Sequence, residues 1–138
     1  MLESAKGSTM EDSYKGIAHF AKAFQFYNMT MWMGDIPYSE AGKGEGGLYR
    51  PKYDTQEEVF IAILNELRAA DSSFAIGIKF DGDPTPYAGD PKKWRKAANA
   101  FTLRVLMSLS KKESVESLDV KNRFAEIVAA GNLLQRRR

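Results

Sequence analysis

Apolar positions recur at helical spacing in four stretches of the chain. From about Asp12 to Met33, the residues Tyr14, Ile17, Ala18, Ala21, Phe24, Asn28, Met31 and Trp32 follow the i, i+3, i+4, i+7 pattern of one helix face, and Phe20 and Tyr27 widen it. A second helix is predicted after Asp54, read as its N-cap with Glu57 three residues on, so that side chains satisfy the free amides of the first turn. Its apolar face is Val59, Phe60, Ile63, Leu64, Leu67 and Ala70, and its end is expected near Asp71–Ser73. The third begins at Asp90-Pro91, a cap followed by proline where no amide partner is needed. Trp94, Ala97, Ala98, Phe101, Val105 and Leu109 line it, extended by Leu103, Leu106 and Met107. The fourth, from about Asp119 to Ala130, is expected to bury Phe124, Ile127 and Val128, with Gly131 in the left-handed closing position.

The connections are long. Gly34 to Tyr53 carries Gly34, Pro37, four glycines between Gly42 and Gly47, and Pro51. A connection of this length inside a compact domain is usually functional or disordered. Phe74 to Asp90, broken by Gly77, Gly82, Pro84, Pro86 and Gly89, reads as loop or a minor hairpin, because a lone alternating stretch has no partner for its backbone. Ala21-Lys22-Ala23-Phe24 is echoed by Ala98-Asn99-Ala100-Phe101, and Phe60–Leu64 by Phe124–Val128. Two helix–loop–helix units in tandem predict an all-α fold of tetratricopeptide-like hairpins with irregular loops. The 138 residues form one helical domain in this reading, with a core from about 12 to 131.

Composition removes several function classes. A net charge of +2 gives no basic face for nucleic acid. The absence of cysteine excludes disulfides and thiolate metal sites. No apolar run approaches the roughly 20 residues that span a bilayer. Met1–Met10 lacks an apolar signal core, so the expectation is an intracellular protein or one whose targeting segment has been removed.

Candidate chemistry is sparse. His19, the one histidine, has no nucleophile or carboxylate at helical spacing and reads as a surface or satisfied core residue. Asp35 and Asp81-Gly82-Asp83 could be calcium ligands, but turn-forming side chains are favoured. Glu57, Glu58, Glu66 and Asp71 are read at a helix start or on its solvent side, in capping and dipole roles rather than as a glycosidase pair. The Gly42–Gly47 run lacks the lysine and hydroxyl ending of a phosphate loop. Arg136-Arg137-Arg138 reads as a frayed end. Trp32, Tyr38, Trp94 and Phe101 are assigned to core packing. Tyr49, Tyr53 and Tyr87 lie in loops and are the candidates for stacking on a sugar ring. No catalytic residue, cofactor or metal is expected.

Four stretches carry a family resemblance. Met33-Gly34-Asp35-Ile36-Pro37-Tyr38-Ser39-Glu40-Ala41 resembles the GD-(I/V)-P-Y-(S/T)-E-A signature of SusD-like (RagB/SusD) proteins. Tyr53–Ala70 resembles that family's YD-(T/S)-QE-x-VY helix start and its IL-x-EL-x-x-A continuation. Gly89–Lys96 is similar to its GD-x-x-KW-x-K element, and Asn99–Ser110 to N-(S/A)-L-x-LR-x-x-M-R-(L/I)-(S/A), with Phe101 for leucine and Ser108 for arginine. The resemblance, over about Tyr14 to Gly131, makes Gly34, Asp35, Pro37, Tyr38, Asp54, Asp90, Trp94, Asn99 and Arg104 signature positions; Arg104, in the middle of the third helix, is expected to pair with a carboxylate or with loop carbonyls, Asp35 being the first candidate.

Family members run to several hundred residues and begin with a lipoprotein signal and a lipid-bearing cysteine, so the resemblance covers an inner portion. It implies a non-catalytic scaffold segment of an outer-membrane surface protein that captures glycans or other nutrients beside a SusC-type TonB-dependent transporter. A stand-alone helical-repeat adaptor is the alternative. Self-association is expected of a segment whose apolar faces lack their neighbours.

Overall fold

The computed structural model describes residues 2–133. Five α-helices hold more than half of the chain: α1 (Leu2–Ala5), α2 (Glu11–Met33), α3 (Gln56–Ile76), α4 (Pro91–Ser108) and α5 (Val120–Ala130). Short 3-10 turns lie at Gly44–Gly46, Ser110–Lys112 and Glu116–Leu118. The all-α expectation holds; α1 and these turns are additions to it. Arg136-Arg137-Arg138 lie outside the described residues.

α3 is the central helix, packed on α2 and α4, and all six residues of its expected face are buried. The helix runs past its expected end to Ile76, and its last buried residue, Phe74, begins a second cluster with Phe80, Trp94 and Ala98. α3 is antiparallel to α2, since Gln56 reaches Thr30 at one end while Phe74 meets Gly16 at the other. α4 buries its expected Trp94, Ala97, Ala98, Phe101, Val105 and Leu109, whereas Met107 is exposed.

α2 differs from expectation by a rotation about its axis. Ser13, Gly16, Ala23, Tyr27 and Thr30 are the buried residues, and Phe20 packs beside them. Ala21, Phe24 and Met31 face outward, and Trp32, assigned to the core, is 89% exposed. The cause is close approach. A Cβ built on Gly16 would stand 2.6 Å from the Phe74 ring. Small residues let the two helices touch, and small residues do not register as an apolar stripe.

Two further expectations fail. The capping box at the start of α3 belongs to Thr55 and Glu58, one residue later than Asp54 and Glu57. Val120 is the one buried residue of α5, where Ile127 is half-buried and Phe124 and Val128 are exposed. Gly131 does close α5 in the left-handed region, at φ 66°.

Candidate functional site

The loop from Gly34 to Thr55 is tied down by side chains of the signature positions. Gly34 ends α2 at φ 79°, where its N–H donates to the Thr30 carbonyl (2.9 Å) and its own carbonyl accepts from the Thr30 hydroxyl (2.6 Å). Ile36, 1% exposed, plugs the core and exchanges backbone hydrogen bonds with Asp54 (3.2 and 3.0 Å). Asp54 was read as a helix cap and instead folds the turn. Its Oδ2 accepts from the amides of Tyr38 (2.9 Å) and Ser39 (2.7 Å), and its Oδ1 from the Ser39 hydroxyl (2.9 Å). The Ser39 and Tyr38 amides hold this carboxyl down at about 2. Asp35 supplements the Thr55 cap at the start of α3, accepting from the Gln56 amide (2.8 Å).

Asp35 is therefore not the partner of Arg104. Arg104 is exposed on α4, with no salt bridge among the described residues. A partly buried partnership lies about two and a half turns earlier on α4: Arg95 grips Asp71 of α3 through Nε (2.7 Å) and Nη2 (3.0 Å), and Asn99 adds a third bond to Asp71 (2.8 Å). The expected pairing of Arg104 is overturned, because the helix phase turns Arg104 to solvent.

Glu66 gathers the other polar cluster. Its carboxylate meets His19 Nδ1 (2.6 Å), Lys22 Nζ (2.7 Å) and the Tyr38 hydroxyl (2.8 Å), and Lys22 also lies 4.8 Å from the centre of the Tyr38 ring. Burial pushes the Glu66 carboxyl up, but the donors from Lys22, His19 and Tyr38 outweigh it and the net shift is downward. Burial, reinforced by Glu66, raises the Tyr38 phenol. His19 is thus a satisfied histidine, as expected, while the solvent-side reading of Glu66 is corrected, since its side chain is largely buried. Both pairings cross between helices, which sequence spacing cannot show. A general acid for glycoside cleavage needs a raised carboxyl; the Glu66 shift has the opposite sign.

The third loop is closed by Asp83, which sequence reasoning left as a turn former. It accepts from the Thr85 amide (2.9 Å), the Gly89 amide (2.8 Å) and Trp94 Nε1 (2.8 Å). Burial raises its carboxyl, yet bonds from Thr85, Gly89 and Trp94 bring it down to about 2. Gly89, at φ 67°, stands so close to the Phe80 carbonyl that a Cβ would overlap it. Asp90 caps α4, accepting from the Lys92 amide (2.9 Å).

The three sugar-stacking candidates do not converge. Tyr49 and Tyr53 are 81% and 72% exposed, while Tyr87 packs edge-on against Trp94 at 4.9 Å. None of them lines the shallow groove over Lys22, Phe26 and Tyr38 or the cleft of about 240 Å³ between α3, α4 and α5. The cleft holds the Asp71–Arg95–Asn99 network with Arg68, Arg123 and Glu126 on an apolar floor. Sequence reasoning missed it, although Arg68 and Asp71, three apart on α3, carried a signal.

The SusD-like family described as starch-binding and associating with the outer membrane matches residues 1–136. The chain belongs to the SusD-like family. The SusD-like chain superposes on a SusD homologue from Bacteroides fragilis NCTC 9343 with a TM-score of 0.91 and 51% identity, covering 98% of this chain and 28% of that one. It is similar also to a Bacteroides vulgatus ATCC 8482 outer-membrane protein assigned to nutrient binding (TM-score 0.81, 44% identity, 89% of this chain and 27% of that one). A second Bacteroides fragilis SusD homologue gives a TM-score of 0.65 at 46% identity, over 72% of this chain and 21% of that one. No curated protein matches. The SusD-like chain thus spans between about a fifth and little more than a quarter of the length of these solved relatives.

Proposed function

We propose that this SusD-like chain is a non-catalytic helical scaffold portion of a cell-surface glycan- or nutrient-binding protein that works with a SusC-type TonB-dependent transporter at the outer membrane. The observation that carries this reading is the family match over residues 1–136, with the signature residues Asp35, Asp54 and Asn99 engaged in internal bonds. Asp54 holds the signature turn, Asp35 the start of α3, and Asn99 the α3–α4 contact. Residues so engaged position helices rather than react. The consecutive antiparallel helices support tetratricopeptide-like stacking within one domain. The family match also favours this reading over a stand-alone adaptor.

The test is affinity isolation of the longer protein that contains this segment, tagged at its C-terminus, from detergent-solubilised outer membranes. The expected result is co-isolation of a TonB-dependent transporter in stoichiometric amount. Recovery of the protein alone, or from the soluble fraction with other partners, would count against it.

A further inference from the structure

The cleft between α3, α4 and α5 is chemically unlike the rest of the surface. Leu64, Leu67, Ile127 and Ala130 make its floor. Asp71 is already matched by Arg95 and Asn99, so those charges balance one another. What remains is Arg68 from α3, with Arg123 and Glu126 from α5, a net positive charge of one. Neither of these arginines forms a salt bridge among the described residues. The Nε of Arg123 is shielded from solvent and has no hydrogen-bond partner among them. Buried donors in folded proteins are almost always paired, and a guanidinium fork is shaped for the two oxygens of a carboxylate.

We propose that this cleft binds a small organic acid, with Arg123 and Arg68 holding its carboxylate and the Leu64–Leu67–Ile127 floor contacting its apolar face. The size sets the class. Sites for drug-sized ligands enclose roughly 300–1,000 Å³, and this cleft has about 240 Å³. The enclosed space matches one acidic ring, such as a uronic acid. The inference rests on the cleft alone, stands apart from the signature turn, and does not depend on the transporter reading. It also assigns the ligand a mechanical effect, since its carboxylate would join α5 to α3.

Glucuronate is the probe, titrated into the 138-residue chain by calorimetry, with glucose and inorganic phosphate titrated in parallel. Saturable binding of glucuronate is expected, weakened about ten-fold or more in Arg123→Gln, which corresponds to about 1.4 kcal/mol. Arg68→Gln, a substitution on the exposed side of α3, should weaken it several-fold and serves as the second variant if Arg123→Gln loosens α5. Glucose lacks the carboxylate and phosphate cannot use the apolar floor, so each should bind at least about ten-fold more weakly. Hydrogen exchange of the α5 amides should slow when glucuronate is present. The proposal is overturned by no saturable glucuronate binding, by binding that both arginine variants leave unchanged, or by equal affinity for glucose or phosphate.

Discussion

Gly16 sets how closely α2 can lie on α3, because the space a methyl group would need is filled by the Phe74 ring at 2.6 Å. Phe74 is itself buried and cannot swing away without opening the second cluster. Gly16→Ala should therefore destabilise the fold by about 1–3 kcal/mol despite the better helix propensity of alanine, seen as a lower urea midpoint. A gain in stability would show that the helices can part at no cost. Asp54 makes a different kind of contribution. Its carboxyl and that of Asp83 are each held at about 2, against an ordinary 3.8. Between these values the unfolded chain binds protons that the folded chain does not, so folding weakens as pH falls. The stabilisation is complete above about pH 4 and is lost on the way down to about pH 2. Asp54→Asn should have a lower melting temperature at pH 6 and a flatter decline between pH 6 and pH 3 than the parent chain. Parallel acid limbs in the two proteins would rule out Asp54 as a source of the decline.

Among the elements, α3 and α4 were legible because each carries large apolar residues on one face and polar ones opposite. α2 was legible in extent and in Tyr14, Ile17, Phe20 and Tyr27, which pack on the core, but Ser13, Gly16, Ala23 and Thr30 complete its buried face and no hydrophobic pattern marks them, while Trp32 and Met31 sit outside. The start of α3 was misread by one residue because Asp54 and Thr55 are both competent caps, and only the folded loop decides that Asp54 is engaged by Tyr38 and Ser39. The His19–Glu66 and Asp71–Arg95 pairs were illegible for the same reason, since each joins residues from different helices. α5 was over-read. Its apolar residues are real, but little of this chain lies against them, and an isolated helix shorter than about 12–15 residues is marginal in water. α5 has 11 residues and one buried side chain. Hydrogen exchange should find its amides protected by no more than about ten-fold, far less than the Ile63–Leu67 stretch of α3. Equal protection of the two helices would mean that α5 is an integral part of the core.

For the molecule as a whole, the faces left open are as informative as the core. Trp32, Met33, Met107, Phe124 and Val128 are exposed large apolar residues on three helices. Solved relatives are more than three times as long as this chain, and no helix among the described residues is long and apolar enough to cross a membrane. These observations fit a scaffold that meets further protein, with the candidate sugar-stacking aromatics scattered: Tyr49 and Tyr53 in solvent, Tyr87 against Trp94. Binding that must first order such loops loses affinity to entropy. The most direct test of a non-catalytic scaffold is calorimetry of the 138-residue chain against a panel of starch-derived and other oligosaccharides, with product analysis of the same mixtures. The account expects binding no tighter than about millimolar, near −4 kcal/mol, and intact oligosaccharides at the end. Micromolar binding that vanishes in Tyr49→Ala or Tyr53→Ala, or the appearance of shortened sugars, would contradict it.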